Sequence, residues 1–89
     1  MRYKIEIVVR RKSSVADPEG NTIADALERL GHSEVSSVRV AKLFYIHIDG
    51  EDETAARDNV EKIAKEVLAN PVIEEFEIVD IEEINRTIL

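Results

Sequence analysis

An alternation of apolar and polar side chains, interrupted only at Val8, opens the chain and predicts a β-strand. The odd-numbered positions from Tyr3 to Val9 are all apolar, whereas the even-numbered positions between them are Lys4, Glu6 and Val8. Successive side chains of a strand point to opposite faces of its sheet, so the odd-numbered set marks a buried face. The first element is therefore predicted to be a half-buried strand.

A helix is predicted next, with signals at both of its ends. Asp17 is a good N-cap residue, and Pro18 follows it at the first helical position. Gly31 stands where a left-handed residue ends many helices. Between these signals, apolar residues recur at spacings of three and four: Ile23, Ala26, Leu27 and Leu30.

The middle of the chain, from Val35 to Asp49, is rich in β-branched and aromatic residues and predicts extended structure. One parity is shared by Val38, Val40, Phe44, Ile46 and Ile48, and Lys42 interrupts it. Two arrangements would explain the interruption. Either a tight turn at Ala41 and Lys42 separates two strands, or one long strand carries a bulge that turns Lys42 out of the core. The sequence leaves both open.

A second helix and a last strand complete the pattern. Asp52 is a good N-cap, and Asn70-Pro71 ends the helix. The apolar stripe of this helix consists of Ala56, Val60, Ile63, Ala64, Val67 and Leu68. The stretch from Val72 to Ile81 reads as a strand, with Phe76 and Ile78 facing the core.

This order of elements, β, α, β or ββ, α, β, predicts an α+β fold. We expect an antiparallel sheet of three or four strands with two helices on one face, in the ferredoxin-like class or a close relative of it. Two helices cover only one face of such a sheet. The opposite face would expose five apolar side chains, Val8, Leu43, Tyr45, Val79 and Ile81. A contiguous patch of this kind predicts self-association, as a dimer or a dimer of dimers.

Charge and cysteine content narrow the possible functions. The chain has 19 acidic and 12 basic residues and a net charge of −7, which disfavours binding to a phosphate backbone. It contains no cysteine, so it has neither disulfides nor thiolate metal sites, and a reducing cytoplasm fits best. No apolar run is long enough for a signal peptide or a membrane span. We therefore expect a cytoplasmic protein that binds neither nucleic acid nor membrane.

Candidate catalytic chemistry is sparse. His32 and His47 have no cysteine, serine or aspartate at a recognisable metal or catalytic spacing, and we place His32 in a loop and His47 on the second sheet face. The acidic run Asp49 to Glu53 offers oxygen ligands for Mg²⁺, but its spacing matches no calcium loop. Its charges are better explained as favourable at a helix N-terminus. The residues thus predict a protein-binding domain without catalytic, cofactor or metal residues of its own.

Three segments resemble the PurS family in their order and spacing. They are Asp17-Pro18-Glu19-Gly20, Val38-Arg39-Val40-Ala41-Lys42 and Leu68-Ala69-Asn70-Pro71-Val72-Ile73-Glu74. PurS is the small subunit of phosphoribosylformylglycinamidine (FGAM) synthase, and the likeness covers residues 2 to 79 of this chain. Two positions depart from the family pattern: Ser13-Ser14 replaces Pro-Gly, and Ala41 replaces a glycine.

The resemblance implies a non-catalytic subunit that associates with itself and joins two partners in purine biosynthesis. One partner is a glutaminase subunit that releases ammonia. The other is a large synthetase subunit, which would hold the ATP and Mg²⁺ of this ligase. For contact with these partners the resemblance favours Arg39 and Lys42, beside the central bend, and the Asn70-Pro71 corner.

The resemblance also divides the chain into a domain, residues 1–79, and a C-terminal extension, residues 80–89. Ile81, Ile84 and Ile88 have helical spacing, so the extension is expected to form a short amphipathic helix or to fray. A rival hypothesis is a stand-alone ACT-like domain that binds a small molecule such as an amino acid. In that case the glycine-bearing loop from Ser13 to Gly20 would approach the ligand.

Overall fold

The computed structural model describes residues 1–84 and contains one antiparallel sheet with two helices. The strand order is β2-β1-β3, so the first strand of the chain lies at the centre. The elements are β1 (Arg2–Arg11), α1 (Pro18–Arg29), β2 (Ala41–Asp49), α2 (Glu53–Ile63) and β3 (Glu74–Ile84). The predicted α+β class is confirmed, with three strands.

β1 supplies most of the core because it is paired on both sides and alternates strictly. Tyr3, Ile5, Ile7 and Val9 are at most 3% exposed, and Ile5 and Ile7 are fully buried. Against this row pack Ala56 and Val60 of α2 and Ala64 directly after it, which are also fully buried. Two of these three residues are alanines, so the backbone of the helix approaches the sheet closely.

The end of α2 is irregular, as the Asn70-Pro71 signal predicts. After Ile63 the helix continues as a π-helical segment, Ala64–Leu68, and the Ala69 N–H donates to the Ala64 carbonyl. The Asn70 side chain then accepts from the Val72 N–H at 3.0 Å, and the Asn70 N–H donates to the Glu74 carboxylate at 2.7 Å. This turn delays the start of β3 to Glu74, two residues later than the predicted start at Val72.

A bulge in β3 changes the face on which its last residues lie. Ile7 pairs with Ile78, but Glu6 pairs with Asp80, so Val79 is the extra residue. Beyond the bulge Ile81 pairs with Ile5 and packs against the core. The prediction that Ile81 lies on the exposed face is therefore wrong, because one inserted residue reverses the parity of a strand.

The same strand corrects the description of the C-terminal extension. β3 continues through residue 84, so Ile81 and Ile84 belong to a strand and the helical interpretation is wrong for them. The expected boundary at residue 79 falls inside β3. Ile88 lies outside the described residues.

Charge substitutions on either side of the bulge test this geometry. Ile81→Lys is expected to lower the free energy of unfolding by about 2 kcal/mol, because it removes apolar burial and directs a charge toward the core. Val79→Lys, at a position that is 47% exposed, should change it by less than about 0.5 kcal/mol. Urea unfolding of both variants measures the difference. Equal losses would contradict the observed register.

Residues 35–40 form neither of the arrangements considered for the middle of the chain. β2 begins at Ala41, opposite Arg10, and residues 35–40 pair with no strand of residues 1–84. The proposed hairpin and the proposed bulged long strand are therefore both wrong. The N–H of Val40 instead donates to the carboxylate of Asp17, so this segment is tied to the start of α1.

α1 contributes no residue to the core of the described chain, which takes its helical residues from α2 and the segment after it. Ile23 is 41% exposed and Leu30 is 75% exposed, although both belong to the predicted apolar stripe. The predicted caps are in place, since Asp17 accepts from the Gly20 N–H and Gly31 has a φ of 93°. Local signals thus define this helix, while its apolar side makes no extensive contact with the sheet.

Candidate partner-binding surfaces

A buried carboxylate organises the end of the sheet where β1 finishes and β2 begins. Asp17 is only 2% exposed. Its Oδ1 accepts from the Gly20 N–H at 3.0 Å and from Arg11 at 3.1 Å, and its Oδ2 accepts from the Val40 N–H at 2.7 Å. These bonds join β1, α1 and the segment that leads into β2. We call this arrangement the Asp17 clamp.

Hydrogen bonding sets the charge state of the clamp. The N–H groups of Val40 and Gly20 are the main cause that lowers the pKa of Asp17, and Arg11 adds to it. Burial acts in the opposite direction but is the smaller effect. Asp17 is therefore ionised at neutral pH, and its negative charge faces the N-terminus of α1, where it is favourable.

Arg39 extends the clamp toward the corner after α2. Its guanidinium donates to the carbonyls of Lys12 at 3.1 Å and Val15 at 2.7 Å. The Lys12 ammonium in turn donates to the Pro71 carbonyl at 2.9 Å. Two of the residues favoured for partner contact, Arg39 and Pro71, are thus linked by hydrogen bonds to Lys12. Asn70 lies next to Pro71 in the same turn.

Lys42 is positioned differently from the other three candidates. It stands in β2 opposite Val9 and is exposed. Within the described residues neither Lys42 nor Arg39 forms an ion pair, whereas Arg10 is held by Glu75 at 3.3 Å and Glu77 at 2.8 Å. The hydrogen bond to Glu77 raises the pKa of Arg10. Lys42 and Arg39 are therefore exposed cations at this end without an ion-pair partner among residues 1–84.

The opposite end of the sheet is acidic. Arg2 pairs with Asp49 at 2.8 Å, which lowers the pKa of Asp49. Asp52 accepts from the Ala55 N–H at 2.8 Å, so its predicted role as N-cap of α2 is confirmed. In residues 1–84 no three acidic or histidine side chains lie close enough to hold a metal ion.

The sheet face opposite α2 carries four of the five apolar residues predicted for self-association. Val8 pairs with Leu43 at its centre, and Tyr45 pairs with the neighbouring Glu6. Leu43, Tyr45 and Val79 are 44%, 62% and 47% exposed. We call Val8, Leu43, Tyr45 and Val79 the open-face patch. The fifth residue, Ile81, belongs to the core side, as described above.

The two histidines lie where the sequence places them. His47 pairs with Lys4 and shares its face with the open-face patch. His32 is exposed in the loop after α1, with its Nδ1 3.5 Å from the Glu34 carboxylate. In the described part of the chain no helix is long and apolar enough to cross a membrane.

Sequence reasoning identified Asp17 only as a helix cap and passed over Arg11 and Lys12. Their roles depend on partners at distant positions, Val40 for Asp17 and Pro71 for Lys12. The one available signal was an Asp-Pro pair at a helix start. At the end of the loop from Ser13 to Gly20, which the ACT-like hypothesis assigns to a ligand, Gly20 lies close to the backbone of Val38 and Arg39.

Comparison with known proteins agrees with this small α+β fold. The sequence profile of the PurS family, described as phosphoribosylformylglycinamidine (FGAM) synthase, matches residues 4–83. The phosphoribosylformylglycinamidine synthase subunit PurS of Methanocaldococcus jannaschii is 41% identical over 76 residues, which cover 85% of this chain and 92% of that protein. The corresponding subunit of Thermotoga maritima is 34% identical over 76 residues, covering 85% and 93%.

Solved structures give the same result. The crystal structure of Methanocaldococcus jannaschii PurS, one of the subunits of formylglycinamide ribonucleotide amidotransferase in the purine biosynthetic pathway, matches with a TM-score of 0.82 and 40% identity, covering 93% of this chain and 99% of that one. A chain in the structure of PurLQS from Thermotoga maritima matches with a TM-score of 0.81 and 32% identity, covering 94% and 99%. The fold is thus that of a small ferredoxin-like subunit. The chain belongs to the PurS family, as its sequence motifs predict.

Proposed function

We propose that this chain is the non-catalytic small subunit of FGAM synthase and joins the glutaminase subunit to the large synthetase subunit in purine biosynthesis. The observation that carries the proposal is the match over residues 4–83 to the PurS family, together with the fold shared with a chain of PurLQS. The ligand-sensing hypothesis is not favoured, because the relatives are synthase subunits.

The chemistry of the reaction belongs to the partners in this proposal. The glutaminase subunit releases ammonia from glutamine. The synthetase subunit uses ATP and Mg²⁺ to activate the amide of formylglycinamide ribonucleotide, which ammonia then converts to the amidine. This chain contributes surfaces rather than reacting groups, and we place it in the cytoplasm with those enzymes.

Reconstitution tests the function. The purified synthetase and glutaminase subunits are assayed for FGAM synthesis with glutamine or with ammonium as nitrogen source, with and without this chain. We expect at least tenfold more glutamine-dependent synthesis when the chain is added, and a three-component peak in size exclusion. Ammonium-dependent synthesis by the synthetase reports that this partner is competent by itself.

Glutamine-dependent synthesis that is unaffected by the chain, with both partners active, would contradict the bridging role. The ACT-like alternative makes a different prediction, namely a thermal shift with an amino acid. A bridging subunit should show no such shift, because its contacts are with proteins.

Self-association through the open-face patch is part of the proposal. Leu43→Glu places a charge beside Val8, at the centre of the patch, and should weaken self-association at least tenfold, since a buried unpaired carboxylate is costly. Glu82→Gln, at an exposed position of the same face opposite Lys4, serves as the control. Light scattering over a concentration series measures both variants. An unchanged mass for Leu43→Glu would remove the patch from the interface.

Partner contact is assigned to the end of the sheet with Arg39, Lys42 and the Asn70-Pro71 corner. Lys42→Glu reverses an exposed charge that makes no ion pair within residues 1–84, so we expect about a tenfold loss of affinity for at least one partner subunit. Lys65→Glu, exposed after α2, is the matched control. Titration against each partner at two salt concentrations distinguishes a lost contact from a general charge effect. Equal affinities of the two variants would contradict the assignment.

A further inference from the structure

A cavity of about 330 Å³ opens at the end of the sheet where β1 finishes and β2 begins. It borders the face that carries the open-face patch, since Arg10 lines it together with its two strand partners, Ala41 and Glu75. The rest of its lining consists of Arg11, Ser13, Arg39 and Val40. A cavity of this size falls within the range of small-molecule sites, about 300–1,000 Å³.

Three guanidinium groups line this cavity, and each is held in position by bonds within the chain. Arg11 donates to the buried carboxylate of Asp17, and Arg10 donates to two carboxylates of β3. The Nη2 of Arg39 donates to two backbone carbonyls, at 2.7 and 3.1 Å. Side chains that are already fixed lose little conformational entropy when a ligand binds, so the cavity offers donors that are arranged in advance.

Arg39 supplies a positive charge that no carboxylate of the described chain balances. Its two acceptors are neutral carbonyls, and it forms no ion pair within residues 1–84. A guanidinium carries five N–H donors in a planar fork. Only the Nη2 of Arg39 is engaged within the described residues, so the donors on its Nε and Nη1 remain for a ligand in the cavity.

The lining favours a phosphate group over a carboxylate. The three terminal oxygens of a phosphate can accept from several guanidinium groups at once, whereas the planar carboxylate is matched by a single arginine fork. Ser13 adds a hydroxyl donor at an exposed position where the PurS pattern has proline. Val40 and Ala41 add apolar surface, beside which the attraction between opposite charges is screened less than in water.

The charge of the whole chain opposes unspecific binding of anions. Its net charge is −7, so an anion that binds has to be held by local contacts. Within the cavity the opposing group is Glu75, which Arg10 contacts at 3.3 Å. Arg10 contacts Glu77 at the shorter distance of 2.8 Å. Glu75 is thus the more weakly held of the two carboxylates, and the one that an entering phosphate would displace.

We propose that this cavity binds a phosphate dianion, either free or as the end of a small organic phosphate, with Arg39 as its principal ligand. Arg10, Arg11 and Ser13 supply further donors. The shared chemistry is a doubly charged phosphate held by prearranged guanidinium groups beside an apolar surface. The proposal goes beyond the bridging function and does not depend on it.

A nuclear magnetic resonance titration of the purified, ¹⁵N-labelled chain at pH 7.5 and constant ionic strength tests the site. The probes are ribose 5-phosphate, inorganic phosphate, ribose and glutamate, and the signals followed are the arginine Nε–H groups and the backbone around Arg39. We expect saturable shifts with both phosphates, at least tenfold tighter than with ribose or glutamate. Tighter binding of ribose 5-phosphate than of inorganic phosphate identifies an organic phosphate as the ligand, and binding that is no tighter identifies free phosphate. Equal binding of glutamate, or no saturable shift with either phosphate, overturns the proposal.

Arg39→Gln is the main variant, because it removes the unbalanced charge and keeps a side chain that forms hydrogen bonds. We expect at least tenfold weaker phosphate binding at an unchanged far-ultraviolet circular dichroism spectrum. Arg29→Gln, at an exposed position of α1, is the matched control and should bind phosphate as the wild-type chain does. Equal affinities of the two variants overturn the proposal.

Glu75→Gln is a variant whose expected effect has the opposite sign. It removes a carboxylate from the lining and releases the Nε of Arg10, so phosphate should bind about threefold more tightly. A disturbed fold would not produce such a gain. Weaker or unchanged binding contradicts the proposal. Because every measurement uses the purified chain alone, these results and the reconstituted synthase activity test separate proposals.

Discussion

Asp17→Asn is expected to lower the thermal unfolding midpoint by roughly 10 °C at pH 7, because several bonds depend on one carboxylate. The substitution keeps the size of the side chain but replaces one acceptor oxygen by a donor. The amide nitrogen would then face either the Val40 N–H or the pair formed by the Gly20 N–H and Arg11. Loss of a helix cap alone typically costs several degrees in a domain of this size.

The effect should also depend on pH. The folded state lowers the pKa of Asp17, so the stabilisation by its ionised form is fully present above the unfolded value of about 4 and is lost as the pH falls through the lowered folded value. The difference in midpoint between the wild-type chain and Asp17→Asn should therefore narrow steadily below about pH 4. Calorimetry from pH 7 to pH 2.5 measures it.

Asp58→Asn provides the control for this experiment, because Asp58 is exposed on α2 and its side chain makes no hydrogen bond within residues 1–84. Its midpoint should follow that of the wild-type chain at every pH. If the thermal unfolding midpoints of the wild-type chain and Asp17→Asn differed by the same amount down to the lowest pH, the carboxylate would act through packing and not through its charge.

Local signals in the sequence predicted the elements that depend on neighbouring residues. The alternation in β1 and the N-caps Asp17 and Asp52 describe structure within a few positions, and all three are present. The turn at Asn70 is of the same kind. Such features depend on backbone geometry, which short stretches of sequence determine.

The features that the sequence did not predict depend on distant contacts. The bulge at Val79 follows from pairing with β1, and nothing in the alternation around Val79 and Ile81 distinguishes a bulged strand from a regular one. Likewise, the unpaired stretch of residues 35–40 has the composition of a strand, but no strand of residues 1–84 lies beside it. Composition gives a propensity for extended structure, while pairing needs a partner.

In the candidate surfaces, too, features set by local pattern were predictable and features set by distant contacts were not. Val8, Leu43 and Tyr45 follow from parity alone, so their exposed face was predictable once the strands were placed. The hydrogen bonds that link Arg39 to Pro71 through Lys12 were not predictable, since these residues are distant in sequence and the acceptors are backbone carbonyls. Backbone acceptors carry no signature in a sequence, because every residue has one.

Gly20→Ala is expected to lower the free energy of unfolding by about 3 kcal/mol, the second large effect, against the ordinary preference of helices for alanine. An added Cβ at this position would approach the Val38 carbonyl oxygen well inside the sum of their van der Waals radii, and would lie 2.9 Å from the Val38 carbonyl carbon and 3.1 Å from the Arg39 Cα. All of these are backbone atoms, so relief requires α1 and the returning segment to separate. That separation stretches the bond from Val40 to Asp17.

Gly31→Ala is the informative comparison, because the two glycines are needed for different reasons. No atom lies within 4 Å of a Cβ at Gly31, but its φ of 93° is strained for any side chain, and we expect a loss of only about 1 kcal/mol. Urea unfolding should therefore rank Gly20→Ala well below Gly31→Ala in stability. If Gly20→Ala were as stable as the wild-type chain, α1 would be free to move away from Val38. The Asp17 clamp would then not hold α1 away from its own sheet.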